Sequence, residues 1–503
     1  MKDKYGRAIL LFSIVIGEVI LYFLLYKYLT ARFVAIETIL HIIGIIAIIN
    51  IIRISDRLSF DVKWIFIILI FPAFGTMIYL FLFSGLYINK TWKSIIEEEK
   101  NASSYYIQDK AVLEEIYDKY PYHKGYFNYF KANNYPIYRN FHYDYYSLGE
   151  KGFKIMLEEM KKAKKYIFME YFIIEEGVMF NAMLDILKEK VKEGVKCRVM
   201  YDDYGSIDTV PASYAEKLEA MGIEAVSFNK VSPVVNVIMN NRDHRKILVI
   251  DGEVAFTGGI NLADEYINKK VRYGHWLDNV LRIKGPAVNS MLTTFLTNWN
   301  AIRHDDSDYS IYFSNKKYRK ASDGYIIPYY SSPLKHELVA RNIYLDILNS
   351  ANNYVYIMMP YLVLDEETLN CLIHTARKGI DVTIILPGIY DKKMVYMIGR
   401  SFYKQLIEAG VKIYEYQPGF VHSKVFIADD KVCTVGSINI DYRSLYISFE
   451  NGVYLYDSSK LFEVKQDFYN TLAKSKQISK QEATFGIVEN IAISVIRLLS
   501  SLL

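Results

Sequence analysis

The chain has 503 residues, and 60 Lys and Arg against 56 Asp and Glu give a formal net charge of +4. A chain of this length can form two or three domains, and so small a net charge argues against a nucleic-acid partner. Cys197, Cys371 and Cys433 lie far apart in apolar runs, which predicts buried thiols rather than a disulfide or a metal site.

Three apolar segments stand near the N-terminus, at residues 8–26, 33–52 and 64–85. Each is long enough to cross ~30 Å of hydrocarbon as a helix, so residues 1–88 are predicted to be a membrane anchor of three transmembrane helices. A signal peptide is the alternative for the first segment, but two further apolar segments follow it. Six Lys and Arg against four place the N-terminus in the cytoplasm and the large domain outside.

The rest of the chain divides into four predicted regions. A polar connecting segment spans residues 89–145, and alternating helical and β-branched runs then predict two α/β domains, at 146–315 and 316–480. Residues 481–503 carry apolar side chains at helical spacing. They predict a C-terminal amphipathic helix that either packs on the second domain or lies on the bilayer.

The two α/β regions are repeats of one another. "AKKYIFMEYFII" aligns with "ANNYVYIMMPYLVL", and "KEGVKCRVMY" with "RKGIDVTIIL", in which Gly194 and Gly379 are predicted to end a helix. The first half has about ten extra residues in "NKVSPVVNVIMNNR", and we expect this insertion to border the functional site. A repeat of about 180 residues is too long for a solenoid, so we predict two domains related by a pseudo-twofold axis.

Each half contains the pattern His, one residue, Lys, four residues, Asp, as His244, Lys246 and Asp251 and again as His422, Lys424 and Asp429. Side chains alternate along a strand, so His and Lys share a face and Asp points the other way. An imidazole beside an ammonium suits a phosphate substrate. The Asp is predicted to brace its strand from behind.

Two copies supply the two roles that displacement at phosphorus requires. One histidine attacks phosphorus, and the other protonates the leaving oxygen and then deprotonates the incoming nucleophile; the residues alone leave open which is which. Gly-led turns at Gly259 and Asn261, and at Ser437 and Asn439, are predicted to face the phosphate.

Each histidine also needs a carboxylate to fix its tautomer. Asp278 and Glu450 are predicted to orient the histidine of their respective halves. No His, Cys or Asp cluster has metal-ligand spacing, so we predict chemistry without a metal or a cofactor.

The stretches "NNRDHRKILVIDGEVAFTGGINLADEYI" and "PGFVHSKVFIADDKVCTVGSINIDYRSLYISFENGVYLYD" resemble the two signatures of the phospholipase D superfamily, in its bacterial cardiolipin synthase branch. The resemblance extends from about residue 40 to the end of the chain. It implies a bacterial cell-membrane enzyme that transfers a phosphatidyl group from one phosphatidylglycerol to another through a phosphohistidine, releasing glycerol. By position it implies that His244 is the nucleophile and His422 the general acid and base, with Lys246, Lys424, Asn261 and Asn439 around the phosphate.

Other functions remain open on the residues alone. The same site suits a phospholipase D that uses water, or a transferase that uses another alcohol, because motif spacing does not report the acceptor. A nuclease is less expected, since there is no basic, aromatic-rich track. A membrane scaffold with a decayed repeat would have lost a His or a Lys, and neither copy has. The predicted partners are membrane phospholipids and the bilayer, and the oligomeric state is not predicted.

Overall fold

The computed structural model describes residues 30–54, 58–83, 90–231, 241–314 and 323–486, and the single residues 16, 20, 23, 24, 316, 318, 489, 493, 496 and 497. The chain forms two compact units, a helical unit up to residue 89 and a larger unit from residue 90 onward. Among the residues that the structure describes, no helix has the length and apolar character needed to span a membrane. The predicted span 8–26 lies largely outside the described residues, as does the predicted C-terminal helix after residue 486, apart from residues 489, 493, 496 and 497.

The N-terminal unit contains the helices Thr30–Ile54, Leu58–Ile70 and Pro72–Phe83. Trp64 and Tyr79 have ring centroids 6.1 Å apart, whereas a straight helix would separate residues at this spacing by about 22 Å. The chain therefore turns back at Phe71 and Pro72, where proline disfavours continuation of the preceding helix. The predicted span 64–85 is thus not one straight helix, because its described part folds as a helical hairpin.

A small apolar core holds this unit together. Ala47 and Ile51 of the first helix pack with Trp64 and Ile68 of the hairpin. The outward faces carry exposed apolar side chains, namely Ile39, Ile42, Ile45, Ile46, Ile49, Ile52, Phe66, Leu69, Ile70, Met77 and Leu80. The N-terminal unit therefore leaves a large apolar surface uncovered by its own residues.

The first half of the larger unit is built on a seven-stranded mixed sheet with the order β1-β8-β6-β5-β2-β3-β4. Strands β2, β3 and β4 are parallel, and the others pair antiparallel. The strands are β1 His142–Tyr146, β2 Tyr166–Tyr171, β3 Lys196–Asp202, β4 Glu224–Phe228, β5 Lys246–Ile250, β6 Val254–Gly258, β7 His275–Leu277 and β8 Val280–Lys284. Strand β7 lies outside this sheet.

The second half is built on an eight-stranded sheet with the order β17-β12-β11-β10-β14-β15-β16-β9. Its strands are β9 Tyr325–Ser331, β10 Tyr354–Met358, β11 Asp381–Pro387, β12 Lys412–Tyr416, β13 Gly419–Val421, β14 Val425–Ala428, β15 Val432–Gly436, β16 Glu450–Tyr456 and β17 Ser475–Gln477. Apart from the added β17, the order of this sheet repeats that of the first. The prediction of two α/β domains is confirmed.

Helices cover the two sheets. Those of the larger unit are Lys90–Ala102, Lys110–Lys119, Lys124–Ala132, Gly149–Lys161, Val178–Lys192, Tyr214–Glu219, Val288–Arg303, Val339–Ser350, Glu366–Arg377, Lys393–Glu408 and Leu461–Leu472. The helices Val178–Lys192 and Glu366–Arg377 are followed by Gly194 and Gly379, whose φ angles of 83° and 87° are left-handed. Both glycines end a helix as predicted, because a residue without Cβ adopts this conformation freely.

The connecting segment 89–145 is an integral part of the larger unit. The ring of Trp92 stacks on that of Phe449 with centroids 5.7 Å apart and planes within 3°, and strand β1 forms the edge of the first sheet. The three cysteines are free and buried, as predicted.

Strands β7 and β13 stand outside the two large sheets and pair with each other in parallel, joining the two halves. The register sets Leu277 opposite Val421, so the residue that follows each strand lies at the boundary between the halves. These two residues are Asp278 and His422.

Candidate active site

Both motifs lie where a central strand enters its sheet from the boundary between the halves. His244 lies two residues before β5, and His422 three residues before β14. Lys246 Nζ donates to the carbonyl of His244 at 2.7 Å, and Lys424 Nζ donates to the carbonyl of His422. Each ammonium is therefore held beside the backbone of its own histidine, and the shared face of the two side chains stays a prediction.

Each histidine is held by a carboxylate from the opposite half. Nδ1 of His244 lies 2.9 Å and 3.0 Å from the two carboxylate oxygens of Glu450, and Nδ1 of His422 lies 2.6 Å from Oδ2 of Asp278. The prediction that Asp278 and Glu450 serve the histidines of their own halves is wrong. The two motifs therefore build one site rather than two.

The backbone explains the exchange. The amide of His422 donates to the carbonyl of Leu277 at 2.7 Å, and the amide of His244 donates to the carbonyl of Phe449 at 2.9 Å. Each histidine is thus bonded to the residue that immediately precedes the carboxylate of the other half. The long-range pairing of two short strand segments decides which carboxylate meets which histidine.

Burial sets the electrostatics of the site. It lowers the pKa of His244 well below its usual value and that of His422 to about 4, with Lys246 and Lys424 respectively as the next contributors. Both imidazoles are therefore neutral at pH 7. When the partner carboxyl is ionised and accepts Nδ1–H, the lone pair on Nε2 is free to attack or to accept a proton.

Burial also disfavours the charged forms of the neighbouring groups. It lowers the pKa of Lys246 to about 7 and that of Lys424 to about 8, and it raises the pKa of Glu450 to about 8. A bound phosphate would offset the positive charge of the two ammonium groups and favour their protonated forms. The site is thus built to receive an anion.

Aromatic rings surround the histidines unequally. Phe172 lies 5.0 Å from the ring of His244. His422 has three such neighbours at 5.3–6.0 Å, which are Tyr266, Trp276 and Phe420. The His244 side chain is 14% exposed and that of His422 8%, so His244 is the more accessible nitrogen for attack.

The sequence analysis missed these aromatic residues, although a signal for two of them was present. Trp276 stands two residues before Asp278, and Phe420 two residues before His422. Side chains two apart on a strand share a face, so both rings could have been expected beside the site.

Asp251 and Asp429 lie away from the histidines and brace the sheet, as predicted. Asp251 accepts three backbone hydrogen bonds at 2.8–2.9 Å, from Lys164, Lys165 and Tyr166. Asp429 does the same at 2.7–2.9 Å, for Asn352, Asn353 and Tyr354. Each carboxylate therefore fixes the start of the neighbouring strand, β2 or β10.

The two predicted turns lie against the carboxylates. A Cβ on Gly259 would lie 2.0 Å from Oδ1 of Asp278, so only glycine leaves room for that carboxylate. At the equivalent position, the hydroxyl of Ser437 donates to Glu450. The two turns therefore position Asp278 and Glu450, the carboxylates that orient the two histidines.

The two turn asparagines differ in their partners. Oδ1 of Asn261 accepts from the amide of Ile173 at 3.1 Å, and Nδ2 donates to the hydroxyl of Tyr266 at 2.8 Å. Oδ1 of Asn439 is buried and has no hydrogen-bond partner among the residues that the structure describes. Their predicted contact with a phosphate stays a prediction.

Asn451 is a further residue that the sequence analysis missed. Its Oδ1 accepts from the amide of Lys246 at 3.1 Å, and its Nδ2 donates to the hydroxyl of Thr257 at 2.8 Å. Asn451 directly follows Glu450. These two residues of the second half therefore bond to the first motif, at Lys246 and His244 respectively. No spacing in the sequence distinguished it.

The two ends of the insertion in the first half are bonded together next to the motif. Nδ2 of Asn229 donates to the carbonyl of Asn241 at 2.8 Å, and Arg242 donates to the carbonyl of Asn229 at 2.7 Å. Arg242 is two residues from His244, so the base of the insertion is near the site. Residues 232–240 themselves lie outside the described residues.

Comparison with known proteins agrees with this geometry. The family described as "Cardiolipin synthase, PLD-like domain" matches residues 156–299 and 344–472, one segment in each half. An uncharacterised protein of Streptococcus mutans is 44% identical over 432 residues, covering 84% of this chain and 92% of that protein. A cardiolipin synthase of Clostridium perfringens is 33% identical over 450 residues, covering 88% of this chain and 93% of that protein.

A solved structure extends the likeness to the fold. The phosphatidylserine synthase of Haemophilus influenzae superposes with a TM-score of 0.58 at 13% identity, covering 73% of this chain and 97% of that one. Both motifs lie within the two segments that the family matches. The chain belongs to the family of cardiolipin synthases with phospholipase D-like domains.

Proposed function

We propose that the protein is a cardiolipin synthase, which converts two molecules of phosphatidylglycerol into cardiolipin and glycerol. The observation that carries the proposal is the crossed pair of hydrogen bonds from His244 to Glu450 and from His422 to Asp278. They make a single site that holds two oriented neutral imidazoles and two ammonium groups. Membership of the cardiolipin synthase family supports the choice of substrate.

In the first step, Nε2 of His244 attacks the phosphorus of the donor lipid. An N–P bond forms, the bond from phosphorus to the glycerol oxygen breaks, and His422, which is protonated on Nε2 once the anionic phosphodiester is bound, supplies that proton to the oxygen. Lys246 and Lys424 stabilise the charge on the non-bridging oxygens. The products are free glycerol and a phosphatidyl group on His244.

In the second step, the hydroxyl of a second phosphatidylglycerol gives its proton to His422 and its oxygen attacks the same phosphorus. The N–P bond breaks, which regenerates His244 and releases cardiolipin. His422 is neutral at this point because it gave up its Nε2 proton in the first step, and burial favours this neutral form, so it can accept the proton. The same residue is therefore acid in the first step and base in the second.

Purified protein in mixed micelles with phosphatidylglycerol tests the proposal, with the products identified by lipid mass spectrometry. We expect equimolar cardiolipin and glycerol. Phosphatidate without cardiolipin would mean that water is the acceptor, and a product with another added alcohol would assign a different transferase. Absence of any product from phosphatidylglycerol would contradict the proposal.

We further propose that the N-terminal segments anchor the enzyme in the bacterial cell membrane as a multi-pass protein. The outward faces of the N-terminal unit are apolar. The segments 8–26 and 33–52 are long enough to cross. Each helix of the hairpin has 12 or 13 residues and is about 20 Å long, shorter than the ~30 Å hydrocarbon core. The hairpin therefore enters the membrane and returns to the same side.

This arrangement has two crossings and strengthens the charge asymmetry. Eight basic residues then share the side of the N-terminus, against Lys27 and Arg32 on the other side; they are Lys2, Lys4, Arg7, Arg53, Arg57, Lys63, Lys90 and Lys93. The positive-inside rule places those eight, and the catalytic unit, in the cytoplasm. Three crossings would divide the same charges six to four.

Labelling of single cysteines in intact cells tests the topology, after the three native cysteines are replaced. An impermeant maleimide is applied to variants Tyr28→Cys, Asp56→Cys and Asn89→Cys. We expect labelling of position 28 alone before the membrane is permeabilised. Labelling of position 89 and not position 56 would restore three crossings.

A further inference from the structure

The second half contains a cleft next to the site. A single aromatic ring, that of Phe420, lies between the cleft and His422. The cleft is shallow, and its roughly 330 Å³ of non-atom space includes open solvent. Its lining includes Tyr361, Tyr390, Asp391, Lys392 and Phe420. The ring of Phe420 lies 6.3 Å from that of Tyr361 and 6.0 Å from that of His422, so this ring separates the cleft from the proposed general acid and base.

The cleft contains a compact set of polar groups. The hydroxyl of Tyr361 donates to Oδ2 of Asp391 at 2.5 Å, and Lys392 Nζ lies 5.4 Å from the centroid of the Tyr361 ring. None of these groups has a role in the two steps above. A carboxylate, a phenol and an ammonium together are the groups that would bind a polyol attached to a phosphate.

The first half has no such set at the equivalent positions. The alignment that matches Tyr166 with Tyr354 places Ile173 opposite Tyr361, and Ser206 and Asp391 each stand four residues past the end of their strands, β3 and β11. Ser206 is buried, accepts from the amide of Ile174 at 3.2 Å and donates to the carbonyl of Phe172 at 3.3 Å. In the first half, these hydrogen bonds hold the loop that follows β3 against the chain segment that follows β2.

The chain segment that contributes Tyr390, Asp391 and Lys392 to the cleft has the composition of a surface that touches an anionic lipid. Ile389, Tyr390 and Met394 are 42%, 41% and 45% exposed, and Lys392 and Lys393 are exposed between them. Apolar side chains suit acyl chains, and lysines suit lipid phosphates.

We propose that this cleft is the acceptor subsite, which binds the glycerol headgroup of the second phosphatidylglycerol. Asp391 and Tyr361 hydrogen-bond the hydroxyls of the glycerol, Lys392 pairs with the phosphodiester of the same lipid, and the apolar rim contacts its acyl chains. The inference rests on the proposed function and identifies the residues that would recognise the acceptor lipid.

The subsite has a chemical consequence for the second step. The bound hydroxyl transfers its proton to His422 and attacks the phosphorus on His244, so the O–P bond forms as the N–P bond breaks. Water has neither the second hydroxyl nor the phosphate that the cleft binds. Loss of the cleft's polar groups therefore favours water over lipid as the acceptor, without slowing formation of the phosphatidyl enzyme.

The test compares Asp391→Asn and Tyr361→Phe with the wild-type enzyme in micelles of phosphatidylglycerol. The control is Asp208→Asn, the same change at an exposed carboxylate in the corresponding loop of the first half. Two quantities are measured, the ratio of cardiolipin to phosphatidate and, by rapid quench, the rate of formation of the phosphatidyl enzyme.

We expect the ratio to fall about tenfold in Asp391→Asn and less in Tyr361→Phe, in keeping with one lost hydrogen bond to a charged group, while the quench rate stays within twofold and the control is unchanged. An unchanged ratio, or an equal fall in both quantities, would overturn the subsite. A wild-type enzyme that makes no cardiolipin would instead refute the proposed function, and the subsite with it.

Discussion

The two halves of the larger unit have the same strand order and the same motif, but neither half contains a complete site. The carboxylate that orients each histidine comes from the other half, as Glu450 for His244 and Asp278 for His422. An isolated half would therefore have a histidine without its partner and a buried carboxylate without its own. The comparison shows that the repeat supplies a second copy of the motif and that each copy depends on a carboxylate from the other half.

The halves also differ in what surrounds the shared geometry. His244 has one aromatic neighbour and greater exposure, whereas His422 is enclosed by three rings. The cleft with Asp391 adjoins the second half, and Ser206 closes the corresponding loop of the first. Under the proposed roles, one half supplies the more exposed nucleophile and the other supplies the enclosed base beside the proposed acceptor subsite.

The division of labour between the histidines gives the largest expected effects. With phosphatidylglycerol, His244→Ala should lower the rate by about 10⁴-fold or more, and His422→Ala by about 10²- to 10⁴-fold. A phosphatidyl donor with a p-nitrophenol leaving group needs no proton from an acid, so His422→Ala should still release one equivalent in a burst.

The measurement is the burst of p-nitrophenol, recorded by stopped-flow absorbance. His244→Ala should give none, and the exposed His374→Ala should behave as the wild-type enzyme. A burst in His244→Ala but not in His422→Ala would reverse the assignment of the two roles.

The crossed carboxylates predict a crossed pattern of mutant effects. Glu450→Gln, in the second half, should reproduce the missing burst of His244→Ala, and Asp278→Asn, in the first half, should reproduce the retained burst of His422→Ala. We expect about a 100-fold loss for each with phosphatidylglycerol, because the amide has no negative charge and its NH2 group can donate to Nδ1, which favours the wrong imidazole tautomer.

Each carboxylate variant serves as the control for the other, because the two changes are equivalent in chemistry. If Glu450→Gln behaved like His422→Ala, the carboxylates would act within their own halves and the crossed geometry would have no functional meaning. Circular dichroism of both variants separates this outcome from simple unfolding.

Local chemistry made some of this architecture predictable from the sequence. The alternation of His244 and Lys246, the bracing role of Asp251, and the helix-ending Gly194 follow from rules that apply within a few residues. Pro72 was an unused local signal: a proline inside an apolar run of 22 residues indicates a break in the helix.

The crossed pairing could not be read in the same way. It depends on strands β7 and β13 meeting across the two halves, a contact between residues about 140 positions apart that no local pattern specifies. The alignment of the repeats even favoured the wrong answer, because Asp278 and Glu450 occupy similar places in their own halves. An assignment made within one half, such as pairing each carboxylate with its own histidine, fails where the site is built from both halves.

The pH dependence of kcat/KM should depend more on the groups around His244, namely Glu450 and Lys246, than on those around His422. Attack needs ionised Glu450, whose pKa is about 8, and charged Lys246, whose pKa is about 7. The activity should therefore fall as pH decreases because Glu450 takes up a proton, and fall as pH increases because Lys246 loses one. We expect a narrow maximum between pH 7 and 8, with about a tenfold loss per pH unit on either side.

The profile is measured with phosphatidylglycerol below its KM, in the wild-type enzyme and in Lys246→Arg. Arginine keeps its charge, so the acid limb should extend up to the pKa of Glu450, about 8, and the maximum should move toward pH 8, above which Lys424, whose pKa is also about 8, loses its proton. A profile that is flat from pH 6 to 9 would contradict the assignment of these groups.

The smallest effects are expected where the halves are most alike. Asp251 and Asp429 have φ angles of 54° and 53°, and each accepts from three backbone amides. Asparagine tolerates this left-handed conformation, so Asp251→Asn and Asp429→Asn remove the negative charge with little backbone strain. Each should weaken the charge-assisted hydrogen bonds and destabilise its domain by about 1 kcal/mol, or about 2–4 °C in Tm.

Because both carboxylates act on the start of a strand and not on the phosphate, kcat/KM at 25 °C should stay within twofold of the wild-type value in either variant. Differential scanning fluorimetry and the cardiolipin assay measure the two quantities on the same samples. A large loss of activity with an unchanged Tm would show that the Asp of the repeated motif takes part in the chemistry. Equal small shifts in the two variants would instead mark it as the one position of the motif where the halves still perform the same task independently.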